Sequence, residues 1–389
     1  MPVTLLVVDD EPDLEVLVRQ RFRRQIRSGE YEFVFAGNGI EALQRLQERP
    51  DIDIVLTDIR MPQMDGLTLL VRLAELDRLL KAIIVSAYGD MDNIRTAMHR
   101  GAADFLTKPI DFQDMEITVQ KTLRELDALR LSAVEHDQLL AIRHELDIAG
   151  RIQQSILPRT FPPFPDRTDF DIFATMLPAR DVGGDFYDFF LVDADHLGLV
   201  IGDVSGKGVP AAIFMAMTRT LLKSSALQGM SPGDCLRHVN TLLCLDNEAE
   251  MFVTIFYGIL NTRTGQLDYS NGGHNLPYLL RTTGAVEQLP GTGGMALGIF
   301  EGLAYAAKQT VLGPGEAFFL YTDGITEAER ADGALFSDAR LAAALRQAAD
   351  AAPDALITAV VEDVKRHADA APQSDDLTAL CVRRRLPPP

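Results

Sequence analysis

The feature that most limits how this chain can fold is a stretch of 47 residues without proline, from Asp111 to Leu157. Leucine, glutamate, glutamine and arginine are frequent in it, and Pro158 follows directly. Because these residues favour helices and proline ends them, the stretch predicts one long helix broken at Pro158. We therefore expect a domain at 1–112, a helical linker at 113–157 and a second domain at 158–385.

The linker helix needs a partner, because a helix gains most of its stability by burying an apolar face. A parallel coiled-coil homodimer would bury such a face, and it is the arrangement that we expect. The alternative is a helix that folds back on its own domain, which the imperfect heptad leaves open. The apolar residues that recur mostly at three- to four-residue steps are Val119, Leu123, Leu126, Leu129, Ala133, Leu140 and Leu146.

Residues 1–112 alternate short apolar runs with helical patterns. The runs predict five strands, and the first helix between them is expected from Asp13 to Ile26. Strands that alternate with helices form a parallel, doubly wound sheet, here a flavodoxin-like α/β domain. The active site of such a sheet lies at the carboxyl ends of its strands. We place the strands at Leu5–Val8, Tyr31–Ala36, Ile54–Thr57, Ala82–Val85 and Asp104–Thr107.

Three aspartates stand at these carboxyl ends. Asp9 and Asp10 follow the first strand, and Asp58 follows the third. Crowded carboxylates need a cation, and oxygen ligands of this kind suit Mg²⁺. Ser86 and Lys108 follow the fourth and fifth strands, where a hydroxyl and an ammonium group can bind phosphoryl oxygens. Each residue alone is commonly a turn or cap residue, but together they predict a site that holds an acyl phosphate on Asp58.

This domain resembles response-regulator receiver domains over its full length. The matching motifs are VVDDEPD (7–13), LTDIRMPQMDG (56–66), SAYGD (86–90) and ADFLTKP (103–109). The resemblance implies that a histidine kinase phosphorylates Asp58. It also implies that Asp9 and Asp10 hold Mg²⁺ with the help of the Arg60 backbone. The two switch residues are then Ser86 and Phe105.

Residues 158–385 mix strand-like and helical segments without a regular alternation. They predict an α+β domain whose strands are joined by turns and hairpins as well as by helices. Residues 161–389 carry 29 acidic and 17 basic side chains, a formal balance of −12. This acidity argues against nucleic-acid binding as the function of the domain.

Four acidic motifs stand out in this domain. Single carboxylates that converge from several strands can bind two hard cations, which activate a water for attack on a phosphate monoester. The alternative is that Asp-Gly pairs simply mark turns, which is the favoured interpretation for Asp323-Gly324 taken alone. The motifs are VGGDFYD (182–188), GDVSGKG (202–208), YTDGITEA (321–328) and SDDLTAL (374–380).

Taken together, these motifs resemble the metal-dependent protein phosphatases of the PP2C type, and more narrowly their bacterial sigma-regulator (SpoIIE-like) branch. The resemblance implies a β-sandwich flanked by helices that holds two Mn²⁺ or Mg²⁺ ions. By the same resemblance, Asp203 bridges both metals and the Val204 carbonyl binds one of them. Asp323 and Asp375 complete the other, and Asp185 binds directly or through water. Further matching segments are ELDIAGRIQQSILP (145–158), PARDVGGDFYD (178–188), NGGHNLP (271–277) and GGMALGI (293–299).

Three further residues are candidates for this site. Asp376 is an alternative to Asp375, because a hard cation can use either carboxylate. His274 can protonate the leaving seryl oxygen, or it can cap a strand end within a tight turn. Arg180 is a candidate for binding phosphate by its position alone, since the animal enzymes use an arginine near their N-terminus.

The sequence thus predicts a two-component response regulator whose output is a metal-dependent protein serine/threonine phosphatase. The resemblance implies that the substrate is a phosphorylated anti-sigma-factor antagonist in a partner-switching pathway. The alternative is a pseudophosphatase that sequesters the antagonist without hydrolysis. A DNA-binding regulator would need a basic recognition helix, and the acidic domain contains none.

The expected compartment follows from composition. No run of about 18 apolar residues predicts a membrane span, and the N-terminus has no signal-peptide pattern. The three cysteines show no metal-type spacing and fit a reducing compartment. We therefore expect a cytoplasmic protein that does not bind membranes.

Overall fold

A computed structural model describes residues 2–76, 78–87, 90–245, 247–369 and 371–386 of the chain. The described residues form two compact units, one up to Ala141 and one from Ile142. This boundary lies inside the long helix, so the three-part division at 112 and 157 stays a prediction. Among the described residues, no helix is both long enough and apolar enough to cross a membrane.

The N-terminal unit is built on five parallel strands in the order β2-β1-β3-β4-β5. The central strands are nearly continuous buried runs, which is typical of a sheet covered on both faces. The doubly wound α/β prediction is confirmed. The elements are β1 (Val3–Val8), α1 (Pro12–Arg21), α2 (Arg23–Ser28), β2 (Tyr31–Ala36), α3 (Gly39–Glu48), β3 (Ile52–Asp58), α4 (Gly66–Ala74), β4 (Lys81–Ala87), α5 (Met91–His99) and β5 (Asp104–Lys108).

The predicted first helix is two helices in the structure, α1 and α2. Phe22 separates them with φ −93° and ψ 20°, outside the helical region. Its ring is buried against Tyr31 and Phe33, with centroid distances of 6.0 and 5.3 Å. The packing of this ring in the tertiary structure favours the break, and a local periodic pattern does not reveal it.

The long helix is confirmed as α6, which spans Phe112–Ile156. Met115, Val119 and Leu126, in its first half, are buried in the N-terminal unit. The first part of the predicted apolar stripe therefore packs against the N-terminal unit of the same chain. Farther along α6, Leu146 and Ile156 are half-buried. The other large apolar side chains there are exposed; they are Leu129, Leu131, Val134, Leu139, Leu140, Ile142, Ile148 and Ile152.

The C-terminal unit is a sandwich of two five-stranded antiparallel sheets, with orders β13-β10-β9-β8-β7 and β12-β11-β14-β15-β6. Its elements are β6 (Phe170–Leu177), β7 (Phe186–Leu191), β8 (His196–Val204), α7 (Val209–Ala226), α8 (Pro232–Cys244), β9 (Val253–Asn261), β10 (Gln266–Gly272), β11 (Tyr278–Leu280), β12 (Val286–Gln288), β13 (Lys308–Val311), β14 (Ala317–Tyr321), α9 (Asp323–Thr326), α10 (Ser337–Gln347), α11 (Pro353–Ala368) and β15 (Leu377–Arg384).

The core of this unit lies between the two sheets. Phe256 of β9 and Phe318 of β14 meet there, with ring centroids 5.7 Å apart. Helices α7 and α8 cover the first sheet, and α10 and α11 cover the second. The predicted β-sandwich flanked by helices is confirmed.

Candidate functional site

The carboxyl ends of β1 and β3 bring three carboxylates together. One oxygen from each of Asp9, Asp10 and Asp58 lies within 4.8 Å of the others. The strands are neighbours in the sheet, so the residues at their ends must meet. Burial raises the pKa of Asp9, because its negative charge is moved away from water. Crowded hard oxygen donors of this kind fit a Mg²⁺ ion.

Lys108, the last residue of β5, supplies the counter-charge. Its Nζ lies 2.5 Å from Oδ2 of Asp58 and 2.9 Å from Oδ2 of Asp9. Glu11, which sequence reasoning missed, is a third partner at 3.0 Å. Burial lowers the pKa of Lys108, but hydrogen bonds to these three carboxylates outweigh it and raise the pKa above its ordinary value. The ammonium group therefore stays charged.

The other predicted residues of this unit surround Asp58. The backbone N–H of Arg60 donates to Oδ1 of Asp58 at 3.2 Å, and the Arg60 side chain pairs with Asp90 at 3.1 Å. Ser86 is buried in β4, next to the residue that pairs with Asp58, and its hydroxyl has no hydrogen-bond partner among the described residues. Phe105 lies on β5 and is 37% exposed. A buried hydroxyl without a partner is suited to bind an oxygen introduced at Asp58.

Four segments of the C-terminal unit each place an aspartate at or beside a strand end. Asp203 is the penultimate residue of β8, and Val204 is its last. Asp323 begins α9, directly after β14 and Thr322. Asp185 precedes β7, and Asp375 lies two residues before β15. Since β7 and β8 belong to one sheet and β14 and β15 to the other, both sheets contribute to the site.

Burial and mutual repulsion dominate the electrostatics of these acids. Burial, together with the charges of Asp323 and Asp375, raises the pKa of Asp203 to about 7. Burial and the charges of Glu327 and Asp375 raise the pKa of Asp323. Burial and the charge of Asp203 raise the pKa of Asp185 well above its ordinary value. Acids whose charges are poorly compensated in this way fit a site built for cations.

Two threonines that sequence reasoning missed hold the Asp185 carboxylate. Its Oδ2 accepts hydrogen bonds from Oγ1 of Thr322 at 2.7 Å and from Oγ1 of Thr378 at 2.6 Å. Both threonines are buried, and both lie inside the acidic motifs. A hydroxyl residue beside a strand-end aspartate was the signal that could have identified them.

The acids of the C-terminal unit are spread more widely than those of the N-terminal unit. Within the described ranges, Asp9, Asp10 and Asp58 form the only group of three or more potential ligands whose atoms lie within 4.8 Å. A wider spread suits two cations, because paired catalytic metals sit about 3.5–4 Å apart and share their ligands between them.

Comparison with known proteins assigns both units. Residues 5–120 match the model of the response regulator receiver domain. Over 120 residues the chain is 34% identical to sporulation initiation phosphotransferase F of Bacillus subtilis, a match that covers 31% of this chain and 92% of that protein. The chain belongs to the response regulator family.

The C-terminal unit of this response regulator is a SpoIIE domain of the PP2C type, since residues 193–385 match the model of stage II sporulation protein E. Phosphoserine phosphatase RsbU of Bacillus subtilis is 30% identical over 194 residues, which are 50% of this chain and 57% of that protein. The SiaA-PP2C domain of Pseudomonas aeruginosa superposes with a TM-score of 0.56 at 25% identity, covering 64% of this chain and 99% of that one. The chain spans about half the length of the curated relatives that match this unit.

In the SpoIIE domain, Asp375 and Asp376 have different partners. Oδ1 of Asp376 accepts the N–H of Ala179 at 2.8 Å. Its Oδ2 accepts the N–H groups of Gly184 at 2.9 Å and Asp185 at 3.4 Å. Three backbone amides thus occupy the Asp376 carboxylate, whereas the side chain of Asp375 is 40% exposed. This arrangement favours Asp375 as a metal ligand and Asp376 as an anchor for the loop before β7.

The Asp323-Gly324 pair lies in a helix, so the turn interpretation of this pair is wrong. Both residues belong to α9. A Cβ atom on Gly324 would lie 2.0 Å from the carbonyl oxygen of Asp376. Glycine is required because the backbone of the loop before β15 packs directly against it. This close approach brings that loop up to Asp323.

His274 of the SpoIIE domain is enclosed between the two sheets. Its Nδ1 accepts the hydroxyl of Thr254 at 2.9 Å, and its Nε2 donates to the carbonyl of Tyr321 at 3.1 Å. Its backbone N–H donates to Oδ1 of Asn271 at 2.7 Å. Burial lowers the pKa of His274 to about 4, which keeps the ring neutral. With both ring nitrogens bonded to protein atoms, the geometry favours the structural role over the general acid.

Arg180 is an exposed residue of the loop between β6 and β7. It follows Ala179, whose N–H is held by Asp376. The loop is therefore anchored near the acidic site while the guanidinium group faces solvent, which leaves phosphate binding as a hypothesis for Arg180.

Proposed function

We propose that this response regulator hydrolyses phosphoserine or phosphothreonine on a protein partner in a metal-dependent reaction. The observation that carries the proposal is the group formed by buried Asp185 and partly buried Asp203 and Asp323, in which desolvation and neighbouring carboxylates raise all three pKa values. Bound cations would favour the charged form of these carboxylates. The similarity to phosphoserine phosphatase RsbU supports the same activity.

In this proposal, two Mn²⁺ or Mg²⁺ ions would be held by Asp203, the Val204 carbonyl, Asp323, Asp375 and Asp185. When bound, such ions supply an activated water and neutralise charge on the phosphoryl oxygens. The chain itself keeps the oxygen donors in place. Strand β8 holds Asp203 beside the Val204 carbonyl, and two threonine hydroxyls orient Asp185.

The receiver would control this activity through phosphorylation of Asp58 by a histidine kinase. Asp9 and Asp10 would hold the Mg²⁺ ion, together with the backbone carbonyl of Arg60. The unpaired Ser86 hydroxyl and the Lys108 ammonium group would bind the phosphoryl oxygens. Phe105 lies on the same strand as Lys108, and phosphorylation of Asp58 would change its position at the surface of the receiver.

The proposed substrate is a phosphorylated anti-sigma-factor antagonist, whose dephosphorylation would release a sigma factor by partner switching. This choice follows from the resemblance to the sigma-regulator branch of the PP2C phosphatases. Similarity to RsbU supports a phosphoserine rather than a phosphotyrosine substrate.

The proposed assembly is a homodimer through α6. Five of its eight exposed apolar residues from Leu129 onward lie within about 140° of arc at 100° per residue, whereas Leu129, Leu140 and Ile148 lie outside this arc; the five are Leu131, Val134, Leu139, Ile142 and Ile152. A matching stripe on a second copy would bury them, as in a coiled coil. Phosphorylation of Asp58 would then act by shifting the pairing of the two helices.

The test is release of phosphate from a phosphoserine protein of the antagonist type, with and without Mn²⁺ and acetyl phosphate. We expect release that requires Mn²⁺, and a rate that changes with acetyl phosphate in wild type but not in Asp58→Asn. Hydrolysis of p-nitrophenyl phosphate under the same conditions serves as a substrate-independent control.

Two other results would change the proposal. Equal rates of phosphate release with and without acetyl phosphate would show that phosphorylation of the receiver does not regulate the phosphatase. Failure to hydrolyse either compound, with tight binding of the phosphorylated antagonist, would establish the alternative of a sequestering pseudophosphatase.

A further inference from the structure

Lys207 lies in the loop between β8 and α7 and reaches across to the loop before β15. Its Nζ is 2.9 Å from Oδ2 of Asp375 and 2.6 Å from the carbonyl oxygen of Ser374. The two loops belong to different sheets of the sandwich, so this contact connects them directly. Lys207 thus has two partners on the facing loop.

The contact uses the oxygen that Asp375 would need for a metal. Oδ1 of Asp375 already accepts the N–H of Asp376 at 2.9 Å. Oδ2 is therefore the better available oxygen, and it is the one paired with Lys207. A cation that binds Asp375 through Oδ2 therefore competes with the ammonium group of Lys207 for this oxygen.

The backbone conformation of the loop that carries Lys207 directs this side chain towards the loop before β15. Gly206 and Gly208 flank it with φ angles of +82° and +81°, which other residues rarely adopt. The loop is anchored at Ser205, whose N–H donates to the carbonyl of Phe252 at 2.9 Å and whose Oγ accepts the N–H of Phe252 at 3.0 Å. The backbone is thus held in place, while the long lysine stem can leave its partner without disturbing it.

We propose that Lys207 is a built-in competitor for the metal at Asp375, which holds the carboxylate when the metal concentration is low and gives it up when a cation binds. The inference rests on the proposed function, because it takes Asp375 as a metal ligand. Lys207 is 37% exposed and Asp375 40%, so the pair is screened by solvent and is weak enough for a divalent cation to displace. Occupation of this ligand then depends on the metal concentration rather than being permanent.

The test measures Mn²⁺ binding to the full-length chain by the loss of the free Mn²⁺ signal in electron paramagnetic resonance. All proteins carry Asp10→Asn, so that the receiver site does not contribute. Lys207→Met removes the competing charge, and Lys207→Arg keeps it. Lys308→Met is the matched control, because exposed Lys308 donates to the carbonyl of Gly291 at 2.7 Å.

We expect the dissociation constant of the weakest Mn²⁺ site to fall about 1.5- to fivefold in Lys207→Met, the range expected from loss of a half-exposed ion pair. It should stay unchanged in Lys207→Arg and Lys308→Met. Lys207→Gln should repeat the result of Lys207→Met, which guards against misfolding of one variant.

An unchanged or weaker Mn²⁺ affinity in Lys207→Met and Lys207→Gln would overturn the inference, and a weaker one would make Lys207 a residue that positions Asp375 for the metal. A different result separates the two proposals. If Asp203→Ala binds as much Mn²⁺ as the Asp10→Asn parent, the SpoIIE domain has no such metal site, and the proposed function fails with the inference.

Discussion

The receiver and the SpoIIE domain both gather aspartates at strand ends, but they balance the resulting charge in different ways. In the receiver, the ammonium group of Lys108 lies within 2.9 Å of both Asp58 and Asp9. In the SpoIIE domain, Lys207 reaches Asp375, while burial and repulsion raise the pKa of Asp203 to about 7. The receiver thus pairs its acids with a lysine, whereas in the SpoIIE domain desolvation and neighbouring carboxylates raise the pKa values of Asp185, Asp203 and Asp323.

The difference has a structural origin. Lys108 ends β5, and the register of a parallel sheet sets its position relative to Asp58. Lys207 lies on a loop between two glycines with positive φ, and its partner lies on another loop. A permanent counter-charge suits a site that must accept and release a phosphoryl group, and a displaceable one suits a site that binds metals.

The largest effect should come from removing the central ligand of the SpoIIE site. We expect Asp203→Ala to lower kcat/KM for a phosphoserine protein at least about 10³-fold, because both metals lose a shared ligand. Labelling of Asp58 by acetyl phosphate should be unchanged, since the receiver balances its own charge. The matched control is Asp350→Ala, an exposed acid of the same unit that should behave as wild type. Activity of Asp203→Ala within tenfold of wild type would contradict the assignment.

Substitutions of Asp376 and Asp375 should affect different properties, the first mainly the stability of the fold and the second mainly metal binding. Asp376→Asn should lower the free energy of unfolding by about 2–3 kcal/mol, since an amide NH₂ would then face a backbone N–H in a buried site. Asp375→Asn should leave metal-free stability nearly unchanged and weaken Mn²⁺ binding. Denaturant unfolding without metal, followed by Mn²⁺ titration, measures both. Equal losses of stability in the two variants would show that the carboxylates are interchangeable.

Lys108→Met should leave the receiver carboxylates without their basic partner, so that their charge is poorly compensated, as it is in the SpoIIE site. Loss of the counter-charge leaves Asp9 and Asp58 unpaired, and we expect a loss of about 1–2 kcal/mol after allowing for partial exposure of the lysine. Amide hydrogen exchange in β1 and β3 should become faster without Mg²⁺, and Mg²⁺ should reverse most of the change. Lys81→Met, at the other end of β4, is the control. Fast exchange that Mg²⁺ does not slow would mean that Lys108 acts through packing and not through charge.

The smallest change, counted per pH unit, should be the pH dependence of stability without metal. The pKa of Asp203 is about 7 in the folded state against 3.8 ordinarily, so the folded state keeps a proton that the unfolded state has lost. Stability from this group should therefore decrease as the pH rises from about 4 to 7, by at most about 1.4 kcal/mol per pH unit. Saturating Mn²⁺ should remove the trend, because the metal replaces the proton.

Asp203→Asn is the control for this measurement. His274, with its pKa lowered to about 4, contributes the opposite slope below pH 6.5, and it does so in both proteins. The difference between their melting temperatures across pH therefore isolates Asp203. A difference that does not vary with pH would show that Asp203 is already ionised without metal.

Much of both sites was predictable, because each lies where a recognisable strand ends. Asp9, Asp10 and Asp58 meet as expected, since a parallel sheet aligns the ends of its strands. The four acidic motifs were also placed at or beside strand ends. The split between α1 and α2 was missed because it depends on burial of Phe22. The short helix at Asp323-Gly324 was not predicted, and its close contact with the backbone of Asp376 joins distant parts of the chain.

The long helix, the parallel sheet and the set of acids were all predictable, because they follow from local patterns of proline, apolar residues and turn residues. The different surroundings of the two adjacent carboxylates depend instead on contacts between distant parts of the chain. Asp376 meets Gly184 across 192 residues of chain, and Lys207 meets Ser374 across 167. No local pattern specifies such partners, and it is these partners that distinguish the two adjacent aspartates, since three backbone amides hold Asp376 while the side chain of Asp375 is 40% exposed.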